Sequence, residues 1–225
     1  MSLNKSEILR YLGHTNQTID NNMQQLLDEC INEITEISQK RFVYQTYTIE
    51  KSDQVLAFQG TTLSMDSRDI VNHLYQSDQC TLMAASLGLE VDRRIAYYGK
   101  FDMTRSLILD ACASTAIEAL CDEVEEKVRL EALEQGYNIT SRFSPGYGDL
   151  PITLQKDFAN VLNTYAKICL TVNESSIMLP RKSVTALIGW QKEKCTTAVN
   201  KCNLCPKKNC LYRKGGKING YKNKL

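Results

Sequence analysis

From about Met103 to Gln135 the chain runs without a glycine or a proline, and Gly136 then stops it. That stretch predicts one long α-helix, about 50 Å from end to end at 1.5 Å per residue. Any domain containing such a rod must be laid out along it. Its first half carries Leu107, Ile108, Ala111, Cys112, Thr115, Ala116, Leu120 and Cys121, and the small residues among these suit close packing against neighbours. Its second half is charge-rich, and Asp122, Glu123, Glu125 and Glu126 read as a solvated helix face.

Other elements follow from periodicity. Ser6–Leu12 reads as a short helix stopped by Gly13. Between Gln17 and Lys40 the apolar residues Ile19, Met23, Leu26, Leu27, Cys30, Ile31, Ile34 and Ile37 recur in steps of three and four, forming one stripe of an amphipathic helix. Phe42–Glu50 turns to β-branched and aromatic residues and reads as a strand. Val55–Phe58 and Thr61–Ser64 flank Gln59-Gly60, the pattern of a hairpin. Helices are predicted over Arg68–Gln76, Leu89–Tyr98 and Thr153–Ala166, and strands over Asn138–Phe143 and Ser183–Trp190. The apolar run Cys80–Leu87 reads as a buried strand, although pattern alone also permits a helix. Strands that do not alternate regularly with helices predict an α+β fold, a mixed or antiparallel twisted sheet packed with several long helices.

Composition narrows the function classes. A net charge of +1 gives no whole-molecule field favouring nucleic acid or acidic membranes. No apolar run approaches the roughly 20 residues that cross a bilayer, and no signal peptide opens the sequence, so a cytoplasmic protein is expected. Of nine cysteines, Cys30, Cys80, Cys112, Cys121 and Cys169 lie in apolar stretches and read as reduced, buried thiols. His14 and His73 match no ligand spacing, and Trp190 reads as a packing residue at a strand end.

The segment Arg142-Phe-Ser-Pro-Gly-Tyr-Gly-Asp-Leu-Pro151 is a loop by composition. Pro145 fixes one φ angle, while Gly146 and Gly148 permit angles closed to other residues. Such a loop can bring backbone N–H and C=O groups close to a ligand. Arg142 offers a fork for a carboxylate, Tyr147 an aromatic face and Asp149 a negative charge. These types complement S-adenosylmethionine, which presents a carboxylate, an adenine and a sulfonium. On chemistry alone, a Pro-Gly-Tyr-Gly stretch is more often a turn.

Arg142, Pro145, Gly146, Tyr147 and Pro151, in the pattern Arg-x-x-Pro-Gly-Tyr-x-x-x-Pro, resemble the S-adenosylmethionine motif of the activation domain of cobalamin-dependent methionine synthase. A second segment, Glu174-Ser175 with Met178, Pro180, Ser183 and Val184, is similar to that domain's Glu-Ser, Met-x-Pro and Ser-Val segment. Glu7–Gly13 and Leu82–Gly88 resemble stand-alone relatives of the domain less specifically. The sequence departs from the family where an acidic residue and a histidine would follow the second proline; Ile152 and Thr153 stand there.

The resemblance implies that Arg142 meets the methionine carboxylate, that Ser144, Pro145, Gly146 and Tyr147 line the ligand, and that Glu174 and Ser183 lie near the same cleft. It implies an accessory role in a methyltransferase system: binding S-adenosylmethionine and supporting reductive methylation of cob(II)alamin. The cobalamin would be carried by a separate methionine synthase or other corrinoid protein, with a flavodoxin or ferredoxin as electron donor. Cob(I)alamin is itself the nucleophile, so no catalytic acid or base is expected.

Cys195, Cys202, Cys205 and Cys210 form a separate cluster in a basic tail whose last 25 residues hold eight Lys or Arg and no acid. Thiolates at this spacing suit zinc or an iron–sulfur cluster. Residues 1–194 are therefore expected as the activation-domain-like unit and 195–225 as a cysteine-cluster tail. The tail shows no nucleic-acid motif or aromatic interleaving, so nucleic acid is not an expected partner. A second reading is a non-enzymatic metal-binding interaction module that keeps the old cleft only as scaffold.

Overall fold

A computed structural model describes residues 3–14, 18–52 and 55–192. Helices α1 (Lys5–Tyr11) and α2 (Asn21–Ile37) precede strand β1 (Arg41–Lys51), the small hairpin β2 (Leu56–Phe58) and β3 (Ser64–Met65), and helix α3 (Arg68–His73). Strand β4 (Ser77–Ser86) leads into α4 (Leu89–Tyr98) and the long α5 (Met103–Glu134). Short β5 (Asn138–Ile139), helices α6 (Gln155–Leu162) and α7 (Thr164–Ile168), the hairpin β6 (Thr171–Val172) and β7 (Met178–Leu179), and strand β8 (Ser183–Gln191) follow. The main sheet has the order β3-β2-β1-β4-β8-β5, with every pairing antiparallel. The expected α+β class is the one observed, and the sheet is antiparallel rather than mixed.

Period-two alternation divides the core into two. Met83, Ala85, Ala186, Ile188 and Trp190 face α1, α2, α4 and α5. Leu82, Ala84 and Leu187 face the other way, with Ile70 and Leu74 from α3 and Phe158 and Leu162 from α6. β4 is covered on both faces from Cys80 onward, and that explains the largely apolar run there and the helix–strand ambiguity it carried. In β8, the Trp190 indole N–H donates to Thr81 Oγ1 at 2.8 Å, and that hydroxyl also meets Thr46 Oγ1 at 2.7 Å. The rod α5 buries Ala111, Cys112, Ala113, Thr115 and Ala116, so its small residues do serve close packing.

Several expectations need correction. The single helix over Thr153–Ala166 is broken into a 3-10 turn (Ile152–Leu154), α6 and α7. Asn163 adopts a left-handed conformation between the two helices, and the buried Thr164 hydroxyl turns to the Leu170 carbonyl at 2.8 Å. The strand over Asn138–Phe143 pairs regularly only at β5. Its continuation is held by the Thr140 hydroxyl, which accepts the Gly189 N–H at 2.9 Å, and by paired backbone bonds between Phe143 and Leu187. Cys30, Cys80, Cys112 and Cys121 are buried, but Cys169 is exposed at the end of α7. Burial pushes the thiol of Cys30 up to about 11 and those of Cys112 and Cys121 to about 12, so all three stay protonated near neutrality. No helix among the described residues is long and apolar enough to cross a membrane.

Candidate functional site

The site is built where the edge segment leaves β5 and passes between β8 and α5. Alternation sends successive side chains to opposite faces. Phe143 packs into the α3–α6 core and stacks obliquely on His73, at 5.2 Å between ring centroids. Arg142 turns the other way, to α5, where Asp122 lies at 2.8 Å, Glu125 at 3.1 Å and Glu118 at 3.3 Å. Burial opposes the guanidinium charge, but Glu125 and its neighbours outweigh it and hold the group above its ordinary value. Three carboxylates around one cation leave this cluster with a net charge of −2. Asp122 and Glu125, expected on a solvated face, are therefore partners of Arg142. Glu123 faces Lys40 and Glu126 pairs with Arg129.

The loop after Phe143 closes on itself. The Tyr147 N–H donates to the Ser144 carbonyl at 3.2 Å, the Leu150 N–H to the Tyr147 carbonyl at 3.0 Å, and the Gly146 N–H to the Leu150 carbonyl at 2.9 Å. Pro145 and Leu150 are buried, so the loop stands on two apolar feet. Between them Tyr147 is 68% exposed. Gly148 sits at φ +56°, and a Cβ there would lie 2.0 Å from Asp69 Oδ2, so a larger residue would be strained and would push the Asp69 carboxylate off the loop.

Asp149, expected to lend charge to a ligand, is spent on the fold instead. Its carboxylate accepts from the Ser67 hydroxyl and from the backbone N–H groups of Arg68 (3.0 Å) and Asp69 (3.1 Å). Those bonds, the Ser67 hydroxyl foremost, hold its carboxyl below the ordinary aspartate value. The loop is thereby tied to the start of α3.

Of the second motif segment, Glu174 is exposed in the turn between β6 and β7. Ser183 is buried; its hydroxyl donates to the Pro180 carbonyl at 2.7 Å and contacts Ser86 Oγ at 2.9 Å, which fastens the start of β8 to the end of β4. Its neighbour Lys182 crosses to α5 and donates to Asp110 Oδ1 at 2.8 Å, the Asp110 carbonyl at 3.2 Å and Ser114 Oγ at 2.9 Å. Asp110, Ser114, Glu118 and Asp122 recur every four residues along one stripe of α5. The structure thus brings Arg142 and Lys182 to the same helix stripe, while Ser183 turns inward and Glu174 stays on the hairpin. Two surface hollows lie elsewhere, one of about 570 Å³ beside Glu33, Arg94 and Arg105 and one of about 410 Å³ beside Gln45 and Asn160. The candidate site is a surface cluster at the sheet edge beside α5.

The model of the family described as the vitamin B12 dependent methionine synthase activation domain matches residues 33–204. The chain belongs to that family. The match takes in the edge strand, the Pro-Gly-Tyr loop and β8, and it includes Cys195 and Cys202 but not Cys205 or Cys210. No curated protein matches the chain. Among solved structures, the fold is similar to the MetH reactivation domain bound to AdoHcy, with a TM-score of 0.63 and 14% identity over 88% of this chain and 72% of that one. At that identity the likeness is one of fold.

In this activation-domain family member, the sequence motif leads to Arg142 and the loop but not to the groups that position them. Asp69 and Ser67 anchor the loop from about 80 residues away, Glu118 pairs with Arg142, and Asp110 pairs with Lys182. For Asp110 and Glu118 the one detectable signal is four-residue spacing along α5; Ser67, Asp69 and Lys182 carry none. Among the described residues no group of His, Cys, Asp or Glu could hold a metal ion. Cys195, Cys202, Cys205 and Cys210 lie outside the described residues.

Proposed function

We propose that the chain binds S-adenosylmethionine at the sheet edge beside α5, against the Arg142–Tyr147 loop, and supports reductive methylation of cobalamin held by a separate methionine synthase or related corrinoid protein. The observation that carries this reading is the loop itself: in a member of the activation-domain family, Arg142 faces α5 while the Pro-Gly-Tyr turn is held rigid at the open edge of the sheet. AdoHcy, to which the structurally similar MetH domain is bound, is S-adenosylmethionine without its methyl group.

The electrostatics suit that ligand. S-adenosylmethionine carries a sulfonium and an ammonium against one carboxylate, and the Arg142 cluster is net negative with one cation in its centre. The ligand carboxylate would take a place on the Arg142 fork in exchange for a helix carboxylate. The positive groups would face Glu118 and Asp122. Ser144, Pro145, Gly146 and Tyr147 would line the ligand, with Glu174 near the open side. The partner's cobalamin supplies the methyl-accepting nucleophile, so this chain's work is to bind and orient the sulfonium. The electron comes from a donor such as a flavodoxin or ferredoxin, and the setting is the cytoplasm.

Calorimetric titration of the full chain with S-adenosylmethionine tests the reading. Saturable one-to-one binding is expected, weakened at least about tenfold, or 1.4 kcal/mol, in Arg142→Ala. No binding by the unaltered chain would overturn it.

Four thiolates in the spacing Cys195, Cys202-x2-Cys205-x4-Cys210 favour a metal site as a second property. We assign it to the 195–225 segment as zinc or an iron–sulfur cluster. Stoichiometric zinc in a colourless protein supports the first, and iron with a brown absorption band supports the second. If the chain binds metal but no S-adenosylmethionine, the interaction-module reading replaces the first.

A further inference from the structure

β1 leaves part of the sheet edge open. It pairs with β4 along Arg41–Thr48, but with β2 only from Ile49 to Lys51. Next to that hairpin the Thr48 carbonyl accepts the Gln59 N–H at 3.0 Å, so Thr48 turns its backbone groups away from β4. Alternation along the strand then turns the N–H and C=O of Phe42, Tyr44 and Thr46 the same way. Among the described residues no group takes up these bonds, and no strand continues the sheet beyond them.

Nothing in the sequence blunts this edge. Open edges are ordinarily protected by charge, proline or a bulge. Phe42-Val-Tyr-Gln-Thr-Tyr-Thr48 holds no charged residue, glycine or proline, and its register against β4 runs without a shift. Phe42 is 38% exposed and stacks on Tyr44, at 6.2 Å between ring centroids and 11° between planes.

The edge is complementary to itself. With a two-fold axis beside Tyr44, antiparallel pairing sets Tyr44 against the second copy's Tyr44 and Phe42 against its Thr46. The outward residues of both strands then exchange their backbone bonds. Arg41, the one charge of the segment, falls opposite the second copy's Tyr47, on the face that Val43 and Tyr47 share with α6. A hollow of about 410 Å³ opens there, lined by Tyr47, Thr61, Thr62 and Asn160, and none of its lining residues is charged. Its hydroxyl and amide oxygens suit a guanidinium. In its own copy Arg41 is exposed and donates to Gln39 Oε1 at 3.0 Å. No like charges stand opposite one another in this register.

We infer that the chain forms a two-fold dimer through β1, which joins two six-stranded sheets into one continuous antiparallel sheet. The interface is isologous, and the second copy's Arg41 fills the hollow beside Tyr47.

Sedimentation velocity of the full chain in reducing buffer, over a concentration series, measures the association. A monomer–dimer equilibrium is expected. Tyr44→Lys sets two like charges against each other on the two-fold axis and should weaken dimerisation about tenfold. Tyr44→Phe, which removes only the hydroxyl bonded to Glu131, should dimerise as the unaltered chain does. Residue-resolved amide exchange reads the register. The N–H groups of Phe42, Tyr44 and Thr46 should slow as concentration rises, while those of Val43, Gln45 and Tyr47, directed at β4, should not change. A monomer at every concentration overturns the inference: fast exchange at the three amides then means a bare edge, and slow exchange means that another segment or molecule covers it. A dimer that Tyr44→Lys leaves intact, or that leaves the three amides unprotected, overturns it as well.

Discussion

Asp149 and Asp69 cap one another: the Asp149 carboxylate accepts the Asp69 backbone N–H at 3.1 Å, and the Asp149 N–H donates to the Asp69 carboxylate at 3.2 Å. This reciprocal pair locks the Pro-Gly-Tyr loop onto the start of α3, some 80 residues away in the chain. It converts a flexible composition into a fixed edge.

The lock is acid-sensitive. The carboxyl of Asp149 is held below its ordinary value, which is about 3.9 for an unfolded chain. A lowered folded value contributes stability that is complete above the unfolded value and lost as pH falls through the folded one. Hydrogen exchange across residues 144–150 should therefore quicken below about pH 4 relative to the rest of the sheet. Asp149→Asn should show quick exchange at every pH.

Gly148→Ala tests the same lock by sterics. A left-handed alanine costs about 1–2 kcal/mol. Its Cβ would also overlap Asp69 Oδ2. A lowered urea midpoint with an unchanged slope is the expected result.

Removing Arg142 leaves Glu118, Asp122 and Glu125 together without their shared cation. Arg142→Ala should destabilise the fold by about 1–3 kcal/mol, since charged hydrogen bonds are lost and like charges remain. Arg142→Lys should recover part of the stability but little of the S-adenosylmethionine affinity, because a point charge cannot form the bidentate fork. Thermal melts and titrations on the same samples separate the two effects.

Thr81→Val would strip the acceptor from the single tryptophan, whose indole N–H is buried. An unsatisfied buried donor costs about 1–3 kcal/mol. The urea midpoint should fall, and the Trp190 emission should shift as its hydrogen bond is lost.

Thiol labelling checks the packing. Among the described cysteines, Cys169 should react with a mild thiol reagent in the folded protein. Cys30, Cys80, Cys112 and Cys121 should react only on unfolding, since burial raises each thiol. Peptide mapping of the labelled sites distinguishes them from the cysteines of the tail.

Local pattern sufficed for α2, β1 and α5, where a three-to-four stripe, a β-branched run or an uninterrupted helical composition spans many residues. It also sufficed for the loop, since Pro145, Gly146 and Gly148 restrict or free individual backbone angles. It failed at the helix expected over Thr153–Ala166, where apolar periodicity continues through Asn163 but the buried Thr164 hydroxyl bonds to Leu170 and breaks the axis. The roles of Asp149, Asp122 and Glu125 were settled only in three dimensions. A carboxylate reads the same in sequence whether it faces water, a helix start or an arginine. Its partner here, Asp69 for the loop or Arg142 for the helix, is delivered by chain segments that meet only when the sheet brings β8 and its edge segment beside α5.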